Sequence, residues 1–238
     1  MRWDPWRGCK RVSEGCKFCY IHKGDYKRGV DTSNIVKTKD FYKPIERLKN
    51  GNYKMKSGLV YVCFSSDFLI AEADSWREEV WQMIKARSDC KFLFLTKRIE
   101  RFNEVIPSDW NEGYDNVIVA VSVENQKSAD YRLPIFNNLA IKHKIITVQP
   151  LIESISISKY LKDIEMVVVG GESDVNARTL NYDWVLSLRD ECIQNNTSFE
   201  FRQCGTNFLK DGVRYRLQTK DLIKQAKKAN IDYWVGGK

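Results

Sequence analysis

The sequence predicts an α/β protein with a parallel sheet, a partial barrel of the (β/α)6 type in a single domain. Three observations predict it. From residue 59 onward, short apolar runs alternate with amphipathic segments, the alternation of βα repeats. The runs are rich in Val, Ile, Leu and Phe and barely interrupted, as in strands covered on both faces. Six such runs are present, too few for eight complete repeats, and 238 residues at 43% hydrophobic suffice for one large core. Neither a linker nor an internal repeat divides the chain. Residues 1–238 therefore divide within one domain into a cysteine loop (8–20), a polar insertion (22–58), the core (59–208) and a basic C-terminal helix and tail (209–238).

The elements follow in order. "MRWDPW" is expected to add a short strand before the cysteine loop, and "DFYKPIERLKNGN" in the polar insertion to hold one short helix. "LVYVCF" (59–64) is β-branched and aromatic, a buried strand. "DSWREEVWQMIKARS" (74–88) reads as a helix capped by Ser75 with Glu78 completing a capping box, and Trp76, Val80 and Ile84 on one face. "KFLFLT" (91–96) is a strand. "RIERFNEVI" (98–106) is helical and stops at Pro107. "NVIVAVSVE" (116–124) is a strand followed by helix in "ADYRLPIFNNL". "HKIITVQPLIE" (143–153) is a strand, with a short helix around Ser158–Leu161. "MVVVGGES" (166–173) is a strand ending in glycines, "DWVLSLRDECIQN" (183–195) a helix with Val185, Leu188 and Cys192 on one face, and "SFEFRQCG" (198–205) the last strand. Thr219 is expected to cap a basic helix, "KDLIKQAKKAN".

Polar residues recur where these strands stop: Ser65, Ser66 and Asp67; Thr96, Lys97 and Arg98; Ser122, Glu124 and Asn125; Gln149 and Glu153; Gly170, Gly171 and Glu172; Arg202, Gln203 and Cys204. In parallel α/β architectures the strand C-termini are where sites are built. Six such ends in a row argue for a ligand site. Each taken singly is equally explained by caps and local ion pairs.

Cys9, Cys16 and Cys19 stand in "GCKRVSEGCKFCY", a C-x6-C-x2-C spacing. The loop is polar and offers little to bury thiols. Structural zinc takes four ligands, and His22 could be the fourth. Iron–sulfur clusters are held by thiolates, and a 4Fe-4S cluster on three of them leaves one iron open. Plain buried thiols are the third reading, the one that suits Cys63, Cys90 and Cys192. Seven cysteines are an odd number and are not spread like a disulfide framework, which favours metal or catalysis in a reducing compartment. No apolar run approaches a membrane span, and the N-terminus lacks the apolar stretch of a signal peptide, so the protein is expected in the cytoplasm. Charge is uneven. Residues 1–56 carry 15 Lys/Arg against 6 Asp/Glu, a net +9; residues 57–209 carry 16 against 22, a net −6; residues 210–238 carry 8 against 3, a net +5. A polyanion, DNA or RNA, is the partner such ends suit, although a solvated lysine-rich face accounts for them equally. No helix-turn-helix or other nucleic-acid motif is present, and no C-terminal cysteine cluster for a second iron–sulfur centre.

The "CKFC" ending, with Phe18, resembles the radical-SAM signature, whose usual first gap is shorter. The longer gap, with "WDPWRGCKRVSEGCKFCY", "FSSDFL", "FLTKRIERF", "VSVENQ", "VVGGES", "NARTLNYDWVLSLRDEC" and "FRQCG", resembles a phage-associated three-Cys-motif family of unknown function that is similar to radical-SAM enzymes. These segments run from residue 3 to about 208. The resemblance implies a partial TIM-like barrel of radical-SAM type, with a 4Fe-4S cluster on Cys9, Cys16 and Cys19. S-adenosylmethionine would bind its open iron and be cleaved reductively to a 5′-deoxyadenosyl radical. It places Ser65, Ser66 and Asp67 near the methionyl amine and Ser122 and Glu124 near ribose or carboxylate. Phe18, Lys97, Gln149 and Glu172 complete the implied cofactor-binding set, with Arg98 on the same rim. The family commonly has "QWG" in the last strand where this chain has Cys204. That thiol is either a catalytic hydrogen-atom donor to a substrate radical or a replacement at a packed position.

The expected function is radical-SAM modification or repair of a nucleic acid or nucleotide, with a partner protein encoded nearby able to complete the site. The alternatives are a non-catalytic nucleic-acid-binding protein with a Cys3His zinc site, and an enzyme acting on a protein or small molecule.

Overall fold

The computed structural model describes residues 1–237. Its strands are β1 (Arg2–Trp3), β2 (Trp6–Arg7), β3 (Val36–Lys37), β4 (Gly58–Val62), β5 (Cys90–Thr96), β6 (Val117–Ser122), β7 (His143–Val148), β8 (Met166–Gly170), β9 (Leu180–Asn181), β10 (Ser198–Gln203), β11 (Asn207–Lys210) and β12 (Val213–Arg216). Its helices are α1 (Tyr20–Lys27), α2 (Asp74–Ala86), α3 (Phe102–Val105), α4 (Gln126–Asn137), α5 (Tyr182–Gln194) and α6 (Leu222–Lys228). Seven strands form one sheet in the order β1–β4–β5–β6–β7–β8–β10, with parallel pairing in β1–β4, β4–β5, β7–β8 and β8–β10. This is the mixed α/β architecture expected, with the six apolar runs and the short N-terminal strand all in the sheet. No helix among the described residues is long and apolar enough to cross a membrane.

The chain divides into two compact units. The first holds Met1–Lys10, Ile21–Ala120 and Leu139–His143; the second holds Arg11–Tyr20, Val121–Asn138 and Lys144–Lys238. In the first, an aromatic core lies under the ends of β4 and β5. Phe68 stacks on Phe94 at 4.2 Å, Trp81 meets Phe68 edge-on at 5.0 Å, and Trp110 lies 5.3 Å from Trp81. Such ring pairs add directional attraction to a large apolar burial. In the second, alternate residues Val167 and Val169 of β8 and Phe199 and Phe201 of β10 are buried, and Tyr182 and Phe208 close against Phe201. Gly171 and Gly205 let two backbones touch: a Cβ on Gly171 would stand 2.5 Å from the Gly205 Cα.

Four local expectations are corrected. Ser75 does not cap α2. The helix begins at Asp74, out of a 3-10 turn at Ala71–Ala73, and Ala73 precedes it without a side-chain cap. The Asp74 carboxylate is engaged by Arg77 and, at 2.7 Å, by Arg101, and Ser75 falls inside the helix. The buried face of α2 includes Arg77, Val80, Trp81 and Ile84, while Trp76 is only half-buried. "DFYKPIERLKNGN" folds as turns, not a helix. Lys43 N donates to Asp40 O and Ile45 N to Tyr42 O, and a bridge joins Arg47 to Tyr53; Pro44 has no amide hydrogen to give a helix. Thr219 opens a 3-10 turn, Thr219–Asp221, and does not cap α6; its hydroxyl points to Ser173 O at 3.5 Å.

Candidate functional site

The first unit holds Cys9 at the end of a tightly fixed loop. Gly8 has φ +94, where an L side chain is strained, and a Cβ there would lie 2.6 Å from Asn34 O. Gly8 N donates to Ser65 O at 3.2 Å, and Cys9 N donates to Thr32 O at 2.7 Å. The Ser66 hydroxyl donates to Gly8 O. Ser65 N donates to Asp4 Oδ1 at 2.9 Å. Ser65 and Ser66, predicted to bind cofactor, thus use backbone and hydroxyl groups to hold the loop that carries Cys9. Cys9 itself is half-buried.

Asp67 is the centre of this unit's polar network. Its Oδ1 accepts from Thr96 Oγ1 at 2.8 Å and from Leu69 N at 2.9 Å. Its Oδ2 accepts from Lys97 N and from Arg98 Nη1, both at 3.0 Å. Four donors fill the carboxylate, and both Asp67 and Arg98 are buried. The Arg98 guanidinium reaches onward to Lys10 O at 2.8 Å. Burial opposes its charge, but Asp67 and the Cys9 thiol beside it hold its pKa above the ordinary arginine value. Arg98 therefore ties the end of β5 to the residue after Cys9. Lys97 is half-buried at the same strand end.

The second unit holds Cys16 and Cys19. A 3-10 turn, Glu14–Cys16, is followed by Lys17 N donating to Glu14 O at 3.1 Å and Cys19 N to Cys16 O at 3.4 Å. Gly15 packs on the buried Glu124 side chain. A Cβ on Gly15 would meet the Glu124 Cδ at 3.1 Å, so the turn seats there because residue 15 has no side chain. Glu124 receives Arg132 Nη1 at 2.8 Å, and the same nitrogen donates to Ser122 O. Ser122 Oγ lies 3.0 Å from Thr147 Oγ1. The second clamp on the turn is Arg178. Its Nη2 donates to Glu14 O at 3.0 Å, its guanidinium lies 5.7 Å from the Phe18 ring centre, and it is held by Glu172 through Nη2 and, at 3.2 Å, through Nε. Sequence reasoning missed Arg178. It lies in an irregular segment, and the signal was its spacing of six residues from Glu172.

Gln149 is half-buried, and its amide lies over Gly170, where a Cβ would stand 2.5 Å from Gln149 Nε2. Cys204 is 2% exposed. Its amide donates to Leu222 O at 3.1 Å, and burial pushes its thiol up to about 12, the surroundings of a packed side chain.

Of the three loop cysteines, Cys16 is buried and Cys9 and Cys19 are half-buried. Among the described residues, no three His, Cys, Asp or Glu side chains gather as a metal-binding group. Thiols are the ligands that iron–sulfur clusters take, and here Cys9 follows backbone fixed at Gly8–Cys9 in the first unit while Cys16 and Cys19 lie on backbone fixed at Glu14–Cys16 in the second.

A family model described as a protein of unknown function, DUF5131, matches residues 1–236. No curated protein matches the chain, and no solved structure does.

Proposed function

We propose a function for this chain, which belongs to the DUF5131 family: a radical-SAM-type enzyme whose target is a nucleic acid or nucleotide. The observation that carries the reading is the construction of the cysteine loop. Cys9, Cys16 and Cys19, at C-x6-C-x2-C spacing, lie on a loop whose backbone is held by Asp67–Arg98 at Lys10 in the first unit and by Glu172–Arg178 at Glu14 in the second. In this reading Cys9, Cys16 and Cys19 hold a 4Fe-4S cluster within a radical-SAM-type (β/α)6 fold. Such a cluster would supply the electron for reductive cleavage of S-adenosylmethionine. The chain's own part is positioning. Arg98 and Arg178 fix the loop, Gly15 brings the turn onto Glu124, and Gln149 offers an amide at the end of β7. The basic excess of residues 1–56 supports a polyanionic target.

The test is anaerobic incubation of reduced protein with S-adenosylmethionine. The expected product is 5′-deoxyadenosine, formed by wild type and abolished in Cys16→Ala; no product from iron-loaded protein would contradict the reading. His22→Ala separates this account from a Cys3His zinc site. His22 lies in α1, and its replacement is expected to leave bound iron unchanged, whereas loss of the metal would favour zinc.

A further inference from the structure

We propose that Arg7, Asp25, Tyr26 and Arg28 form a grip for single-stranded nucleic acid beside Cys9, an inference that rests on the nucleic-acid target proposed above. All four residues belong to the first unit. Asp25 projects from α1 into the protein, its side chain 2% exposed. Its Oδ1 accepts from Arg7 Nη2 at 2.6 Å and also from Arg28 Nη2. One buried acid thus draws two guanidiniums together, and the cluster keeps a net positive charge.

The two arginines are 38% and 61% exposed. A guanidinium has five N–H donors in a planar fork. Those not spent on Asp25 are available to phosphate oxygens, which such forks bind in pairs. Tyr26, the next residue along α1, is 86% exposed. A ring left so far in water contributes nothing to this chain's own core. Lys23 and Lys27 are exposed on the same helix. An open aromatic face among cations is the combination that stacks a base and neutralises its backbone. An acidic peptide would meet the charges but has no flat face for the ring, and a duplex keeps its base faces stacked inside. The location is pointed: Arg7 precedes Cys9 by two residues, and α1 follows Cys19 directly in the sequence.

The experiment is fluorescence anisotropy of the whole protein with labelled oligothymidylate, oligouridylate and a duplex, across a salt series. Wild type is expected to bind a single strand more tightly than the duplex. Tyr26→Ala is expected to weaken single-strand binding about tenfold with its salt dependence unchanged. Arg28→Gln is expected to flatten the slope of log affinity against log salt by about 0.7, one phosphate contact on a single strand. Both variants alter exposed side chains, and matched thermal unfolding would show that they fold. Wild-type affinity in both variants, preference for the duplex, or no binding by the wild type would overturn the proposal. Iron content measured on the same samples keeps the two readings apart. A protein with its full iron but no strand binding refutes this grip alone, and one without iron refutes the enzyme whatever it binds.

Discussion

Asp67→Ala is expected to lower the unfolding free energy by about 3–5 kcal/mol, the cost of breaking a buried ion pair from one side. The substitution leaves Arg98 charged and buried with its carboxylate gone. It also strands the Thr96 hydroxyl and the amides of Leu69 and Lys97, which donate to the same group. Urea unfolding followed by tryptophan fluorescence reads the change as a lower midpoint with the same slope. Asp67→Asn should recover part of the loss, since its amide oxygen can still serve Thr96 and Leu69, while its NH2 faces the donors of Lys97 and Arg98. The effect should extend to the loop: Arg98, no longer held by Asp67, loses its fixed aim at Lys10 O. A midpoint equal to wild type in Asp67→Ala would show that the network does not support this unit.

Arg178→Ala is expected to cost less stability and more loop order. Glu172 keeps a buried carboxylate without its cation, a penalty of about 2–3 kcal/mol, smaller than for a fully buried pair because Arg178 is itself partly exposed. The C-x2-C turn loses the hydrogen bond to Glu14 O and the guanidinium beside Phe18. In metal-free protein under native conditions, Cys16 and Cys19 should then alkylate about tenfold faster, while Cys192, in the core of α5, should not change. Arg178→Lys should fall between, because an ammonium keeps the charge but not the fork that serves Glu172 and Glu14 together. Equal rates at Cys16 in wild type and Arg178→Ala would remove Arg178 from the account of the loop.

The strands were legible because each is a short apolar run whose neighbours cover both faces; "KFLFLT", "NVIVAVSVE" and "MVVVGGES" fall on β5, β6 and β8 with no end off by more than three residues. The face of α5 was legible for the same reason, with Val185, Leu188 and Cys192 all buried. The small sheet β12–β11–β9 was not. Its strands are two to four residues long, too short for a period to register, and β12 is exposed throughout. Helix α1 was hidden in the polar insertion because "YIHKGDYK" has one buried residue, Asp25, and that residue is charged. At the site, the sequence marked the polar strand ends but not their purpose. Asp67 read as a ligand-binding carboxylate, yet three of its four partners, Thr96, Lys97 and Arg98, come from a distant strand end that only folding brings to it. Arg178 stood inside the quoted segment "NARTLNYDWVLSLRDEC" without any role being assigned to it.

The most direct test of the central claim is iron, acid-labile sulfide and zinc content, measured together on protein purified without oxygen, for wild type and Cys16→Ala. The account predicts about four irons per chain in the wild type, matching sulfide, little zinc, and loss of the iron in the variant. Stoichiometric zinc without iron in the wild type would contradict it.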